Sequence, residues 1–128
     1  MIYVDSSVVL AELFAEDRRP LTSLWDEPLV SSRLLEFEVW NRIHANRSTA
    51  ARHDAARDLL GRIGFIELLR PVLERALEPF PTPVRTLDAL HLASAEFLRG
   101  RETQLTLATY DERMRTAALA LKIPLAEL

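Results

Sequence analysis

The sequence contains no cysteine and only three glycines in 128 residues, and Lys122 is its one lysine. The missing thiols exclude a disulfide framework, a thiolate zinc site and a cysteine nucleophile, and they suit a reducing compartment. With 48% hydrophobic and 27% charged residues and so little glycine, collagen-like, low-complexity and disordered classes are excluded as well. No stretch approaches the roughly 18 apolar residues of a membrane span, and Met1 leads straight into a strand-like run without a basic leader. A cytoplasmic protein without a membrane partner is therefore expected, with residues 1–128 forming a single domain. The basic residues other than Lys122 are all arginines, and the formal net charge is −3. That balance disfavours a uniformly basic nucleic-acid binder. Arginine nevertheless suits bidentate phosphate contacts, so a local patch stays open.

Hydropathy and breakers predict short strands alternating with helices. Strands are expected over 2–5, 28–31, 65–69 and 104–109. Helices are expected over 8–15, 33–46, 50–62, from Pro71 onward, 87–98 and 112–121, with a short one over 21–25. Ser32 is placed as the cap of the second long helix, and Gly64 and Gly100 as terminators. Pro79, Pro81 and Pro83 crowd one connecting loop, and a last apolar run covers 123–128. Parallel strands need helical crossovers, so the expected class is α/β: a three-layer α/β/α sandwich with a mostly parallel central sheet. Of the large aromatics, Trp25 and Trp40 are assigned to the core or to a partner groove, and Phe37 to the core.

In such sheets ligands bind outside the carboxyl ends of the strands. Asp5 ends the first strand and Asp111 follows a late one, which puts both at the same rim. Either is also a natural helix cap. Asp88 falls in the first turn of a helix, where an acid gains roughly 0.3–1 kcal/mol from the helix dipole. Glu36 and Glu38 lie about 200° apart on one helix, so only one can face a given site. The wheel prefers neither, and Arg42, four residues on, offers Glu38 a plain intrahelical ion pair. His91 sits three residues past Asp88 on an apolar helix, where a packed core histidine is the expected reading.

Four segments carry a resemblance over essentially the whole chain. They are the opening Ile2-Tyr3-Val4-Asp5-Ser6-Ser7; Ser32, Leu34, Glu38 and Val39; Asp88-Ala89-Leu90-His91-Leu92-Ala93; and Thr109-Tyr110-Asp111 with Arg113. In this order and spacing they resemble the PIN domain, and in detail the VapC-type toxins of bacterial toxin-antitoxin pairs. The resemblance implies a magnesium- or manganese-dependent endoribonuclease with Asp5, Glu38, Asp88 and Asp111 as the acidic quartet, and so selects Glu38 over Glu36. Asp5 and Asp111 are assigned as direct ligands, and Glu38 and Asp88 as ligands through water or as orienting groups. Gathered carboxylates repel, and a hard cation with oxygen ligands compensates them. Ser6 and Thr109 match the family's hydroxyl positions and are secondary site residues. An RNA substrate, a small antitoxin covering the cleft and a homodimer are the implied partners. Lys122 departs from the pattern: relatives commonly carry Gly there to take the left-handed helix cap.

Setting the four acids aside turns the net charge of −3 into +1, so the remaining scaffold is compatible with a polyanion. Arg18, Arg19, Arg42, Arg47, Arg113 and Arg115 are the candidate phosphate contacts. Two other readings compete. A receiver-like phosphoacceptor module would need an acceptor Asp after the third strand and a Lys after the fifth, and neither is visible. A PIN-like scaffold used only for binding would not need its acids intact.

Overall fold

A computed structural model describes residues 1–101 and 104–128. The chain runs β1 (Ile2–Val4), α1 (Ser6–Leu13), a 3-10 turn (Thr22–Asp26), β2 (Leu29–Ser32), α2 (Leu34–Ala45) and α3 (Ala50–Leu60). It continues through β3 (Ile63–Ile66), α4 (Arg70–Leu77), α5 (Thr86–Arg99), β4 (Thr106–Ala108) and α6 (Glu112–Ala120). The strands form one sheet in the order β3-β2-β1-β4, and every ladder is parallel. After β4, Leu125 bridges to Leu107 beside it.

Strand residues alternate between two cores because side chains project to opposite faces of a pleated sheet. Val4, Leu29, Ile63 and Ala108 face a core completed by Val8, Val9, Leu35, Val39, Ile43, Ala56 and Leu60 from α1, α2 and α3. Tyr3 and Leu107 face the other, completed by Leu92, Ala95, Met114, Ala117 and Ala118 from α5 and α6. The three expected layers are thus present, with helices burying both faces of a parallel sheet.

Most boundaries agree with the sequence reading, and the differences have physical causes. Gly64 does not close a helix: α3 caps at Gly61, and Gly64 lies inside β3, paired with Val30. Register against β2 places β3 two residues earlier than periodicity suggests, because Ile63 opposite Leu29 continues the buried row. Phe37 is 68% exposed, not in the core. The buried stripe of α2 is Leu35, Val39 and Ile43, and a residue two positions from Leu35 points to the opposite side. Ser32 does act at the start of α2: its hydroxyl accepts the Leu34 N–H at 3.1 Å.

The chain passes from β1 to β2 and β3 on one side, then returns to place β4 on the other side of β1. The crevice between the carboxyl ends of β1 and β4 is the switch point, where open α/β sheets bind ligands.

Candidate active site

That crevice opens into a cleft of about 660 Å³ whose lining includes Asp5, Glu38, Asp88 and Asp111. Four separate segments deliver them: the end of β1, the middle of α2, the first turn of α5 and the residue before α6. Glu36 is turned away and pairs with Arg33 at 2.9 Å.

Asp5 is buried, and two hydroxyls hold it in matching ways. Ser7 donates its N–H at 3.0 Å and its hydroxyl at 2.5 Å to Oδ1, and the Ser7 oxygen accepts the Tyr110 N–H at 2.9 Å. Thr109 donates its hydroxyl to Oδ2 at 2.7 Å and accepts the Asp111 N–H at 3.0 Å. The β4–α6 connection is thereby tied to the first residues of α1 through one carboxylate. Burial pushes the Asp5 carboxyl above its ordinary range, opposed by these hydrogen bonds and by His91, and reinforced by the neighbouring Glu38 charge.

Asp88 and Asp111 each fulfil the ordinary capping role as well. Asp111 Oδ1 accepts the Met114 N–H at 3.0 Å, and Asp88 Oδ2 accepts the Arg85 N–H at 3.2 Å. A cap uses one carboxylate oxygen and leaves the other available to the cleft. Capping and site chemistry are therefore compatible at these positions.

Glu38 makes no ion pair with Arg42 among the described interactions. Its Oε2 accepts the Ser6 hydroxyl at 3.2 Å, and its Oε1 accepts the His91 Nε2–H at 2.5 Å. His91 is buried as expected, but it is also joined to the site. Three contributors escape a reading by motif: His91, Tyr3 behind it, and Ser7, which holds Asp5 more directly than Ser6 does. The doubled serine after Asp5 was a usable signal for Ser7. Nothing in the local pattern pairs His91 with Glu38, since 53 residues separate them.

The acidic and hydroxyl side chains lining the cleft offer oxygen: the carboxylates of Asp5, Glu38, Asp88 and Asp111, that of Glu16, and the hydroxyls of Ser6, Ser7 and Thr86, with Thr109 buried behind Asp5. His91 Nε2 is occupied by Glu38. Such a set fits magnesium or manganese and not a soft metal. A buried carboxylate with a raised pKa gains from a nearby cation. Among the described residues no three His, Cys, Asp or Glu side chains converge into a tight cage. An ion that keeps several waters and touches one or two carboxylates needs none.

Arginines flank the acids. Arg18, Arg42 and Arg85 line the cleft, and Arg18 stacks over the Tyr110 ring at 5.2 Å. Arg19 instead pairs with Glu12, and Arg115 with Glu112. Arg47 and Arg113 are not among the lining residues, whereas Arg85 is and was not singled out by sequence.

The PIN-domain family pattern matches residues 2–119. A Mycobacterium tuberculosis protein named Ribonuclease VapC46 is 37% identical, the match covering 94% of this chain and 92% of that protein. Ribonuclease VapC47 from the same species is 30% identical, with coverage of 89% and 87%. Among solved structures, a toxin-antitoxin complex from Klebsiella pneumoniae superposes with a TM-score of 0.70 over 94% of each chain at 18% identity.

Proposed function

The chain belongs to the PIN-domain family, and from that premise we propose that it is the toxin of a type II toxin-antitoxin pair, an endoribonuclease acting with magnesium or manganese. The observation that carries this reading is the convergence of Asp5, Glu38, Asp88 and Asp111 on one cleft at the switch point of the sheet. The named ribonucleases and the toxin-antitoxin complex it is similar to support the same reading.

Asp5 and Asp111 would hold the ion, and Glu38 and Asp88 would orient its hydration shell. When bound, the ion supplies Lewis acidity that offsets the gathered carboxylates and stabilises charge developing on the phosphate. The chain's own contribution is positional. Ser7 and Thr109 fix the Asp5 carboxylate, the capping bonds fix Asp88 and Asp111, and Ser6 steadies Glu38. Arg18, Arg42 and Arg85 line the same cleft and would contact backbone phosphates of the substrate.

The partners follow from the same reading: a small antitoxin whose C-terminal segment covers the cleft, and a second copy of the chain. Apolar surface for partners is present beside the cleft, where Leu73 and the 87%-exposed Leu77 line a groove between α4 and α5, and the exposed Leu87 lines the cleft itself. No helix among the described residues is long and apolar enough to cross a membrane. The receiver reading finds no support: Lys122 lies beyond the end of α6 opposite to Asp111.

Asp5→Asn and Asp111→Asn should each abolish magnesium-dependent RNA cleavage, by at least 100-fold, and relieve growth arrest on expression. A purified variant that cleaves RNA at the wild-type rate would remove that residue from the site.

A further inference from the structure

A chain of hydrogen bonds runs from the acidic cleft into the core. His91 Nε2–H reaches Glu38 at 2.5 Å, His91 Nδ1 shares a hydrogen bond with the Tyr3 hydroxyl at 2.8 Å, and that hydroxyl accepts the Ser32 N–H at 3.2 Å. Tyr3 is fully buried on β1 and His91 is 2% exposed on α5. The two rings meet edge to face at 5.9 Å between centroids.

Folding alone does not call for this chain. Its neighbours on α5 are Ala89, Leu92, Ala93 and Ala95, and an aliphatic side chain in place of His91 would suit them. Buried polar groups replaced together by apolar groups of similar shape are often neutral or stabilising, because desolvation offsets most of what the hydrogen bonds contribute, so an all-apolar set at Tyr3 and His91 would serve the core as well. What the chain does supply is direction. The Glu38 carboxylate is fixed at one oxygen by a buried ring, itself held by Tyr3, and at the other by Ser6. A long side chain on an open cleft otherwise samples several rotamers.

We propose that His91, held by Tyr3, is a positioning residue that locks the Glu38 carboxylate in the orientation the cleft requires. This rests on the assignment of Glu38 to the metal pocket made above. Groups behind a metal ligand typically change metal affinity or activity about 10–100-fold when removed.

Two substitutions at the same position separate this role from packing. His91→Leu fills the apolar volume but has no donor. His91→Gln keeps an N–H near the place of Nε2 and is the poorer core residue. The expected result is a roughly 10–100-fold loss of kcat in His91→Leu, with an unchanged KM for RNA and a lowered unfolding midpoint, because the buried Tyr3 hydroxyl and the Glu38 carboxylate each lose a partner. His91→Gln should stay within about threefold of wild-type kcat. Manganese affinity measured by calorimetry should follow the same order, weaker in His91→Leu than in His91→Gln. In crystals of the metal-free proteins, Glu38 should leave its wild-type position in the Leu variant and keep it in the Gln variant. A Leu variant with Glu38 unmoved, or Gln and Leu variants equally inactive while folded, would overturn the inference. Wild-type protein that cleaves no RNA would refute the ribonuclease reading instead, and the position of Glu38 in the two variants would still decide the role of His91.

Discussion

If Asp5 holds the ion as proposed, stability and activity oppose each other at this residue. The residue is buried and takes three hydrogen bonds, yet burial still raises its pKa. The folded protein therefore binds this proton more tightly than the unfolded chain. Below the ordinary Asp pKa both states are protonated and there is no penalty. As pH rises from there through the raised folded pKa, the fold loses stability. Asn is isosteric and uncharged, its oxygen can keep both Ser7 donors, and its amide can donate to Thr109. In EDTA, Asp5→Asn should thus show a higher urea midpoint than wild type at pH 7.5, and the gap should close towards pH 3.5. Equal midpoints at pH 7.5, or a gap that widens in acid, would contradict the account. The more stable protein is expected to be the inactive one.

At the scale of elements, helix ends show where this sequence departs from local preference. Ala15, Arg47 and Lys122 have positive φ of 48°, 46° and 61°, and no glycine among the described residues does. Lys122 completes a Schellman cap, with its N–H bonded to the Leu119 carbonyl at 3.0 Å and the Ile123 N–H to the Ala118 carbonyl at 2.8 Å. The left-handed conformation expected at Lys122 is therefore present without the residue that favours it. A side chain there costs roughly 1–2 kcal/mol, partly offset by glycine's larger unfolded-state entropy. Lys122→Gly should gain about 0.5–1 kcal/mol in urea unfolding. Gly64→Ala should also gain, by about 0.4–1 kcal/mol, since φ is ordinary there and an added Cβ meets the Leu29 carbonyl at 3.6 Å. A loss at Lys122→Gly would show that the lysine side chain contributes more than its backbone strain costs.

For the molecule as a whole, the net charge of −3 describes an average that no substrate meets. On the proposed reading, the acids and arginines lining the cleft would form a field that draws a phosphate backbone towards a cation held by the acids. Each phosphate contact to single-stranded RNA contributes about 0.7 to the slope of log affinity against log salt. In the inactive Asp5→Asn background, Gln at Arg18, Arg42 and Arg85 together should reduce that slope by about 2. The same change at Arg47 and Arg113 should leave it nearly unaltered. A slope insensitive to the three cleft arginines would place the RNA elsewhere.

The sequence by itself determined the alternation of strands and helices, because strand and helix periodicities and their breakers act within a few residues. It also singled out Asp5, Glu38, Asp88 and Asp111 as the candidate acids, through the order and spacing of short motifs that look like one family. Only the tertiary structure decided which β3 register buries Ile63, why Phe37 faces solvent, and which arginines reach the cleft. It alone joined His91 to Glu38 and Tyr3. Those outcomes depend on how α2, α5 and β1 pack across a sheet, and contacts between residues far apart in the chain leave no trace in local hydropathy. For the same reason Asp88 looks in sequence like a plain first-turn charge and Asp111 like a plain helix cap, and the fold brings both to one cleft with Asp5 and Glu38.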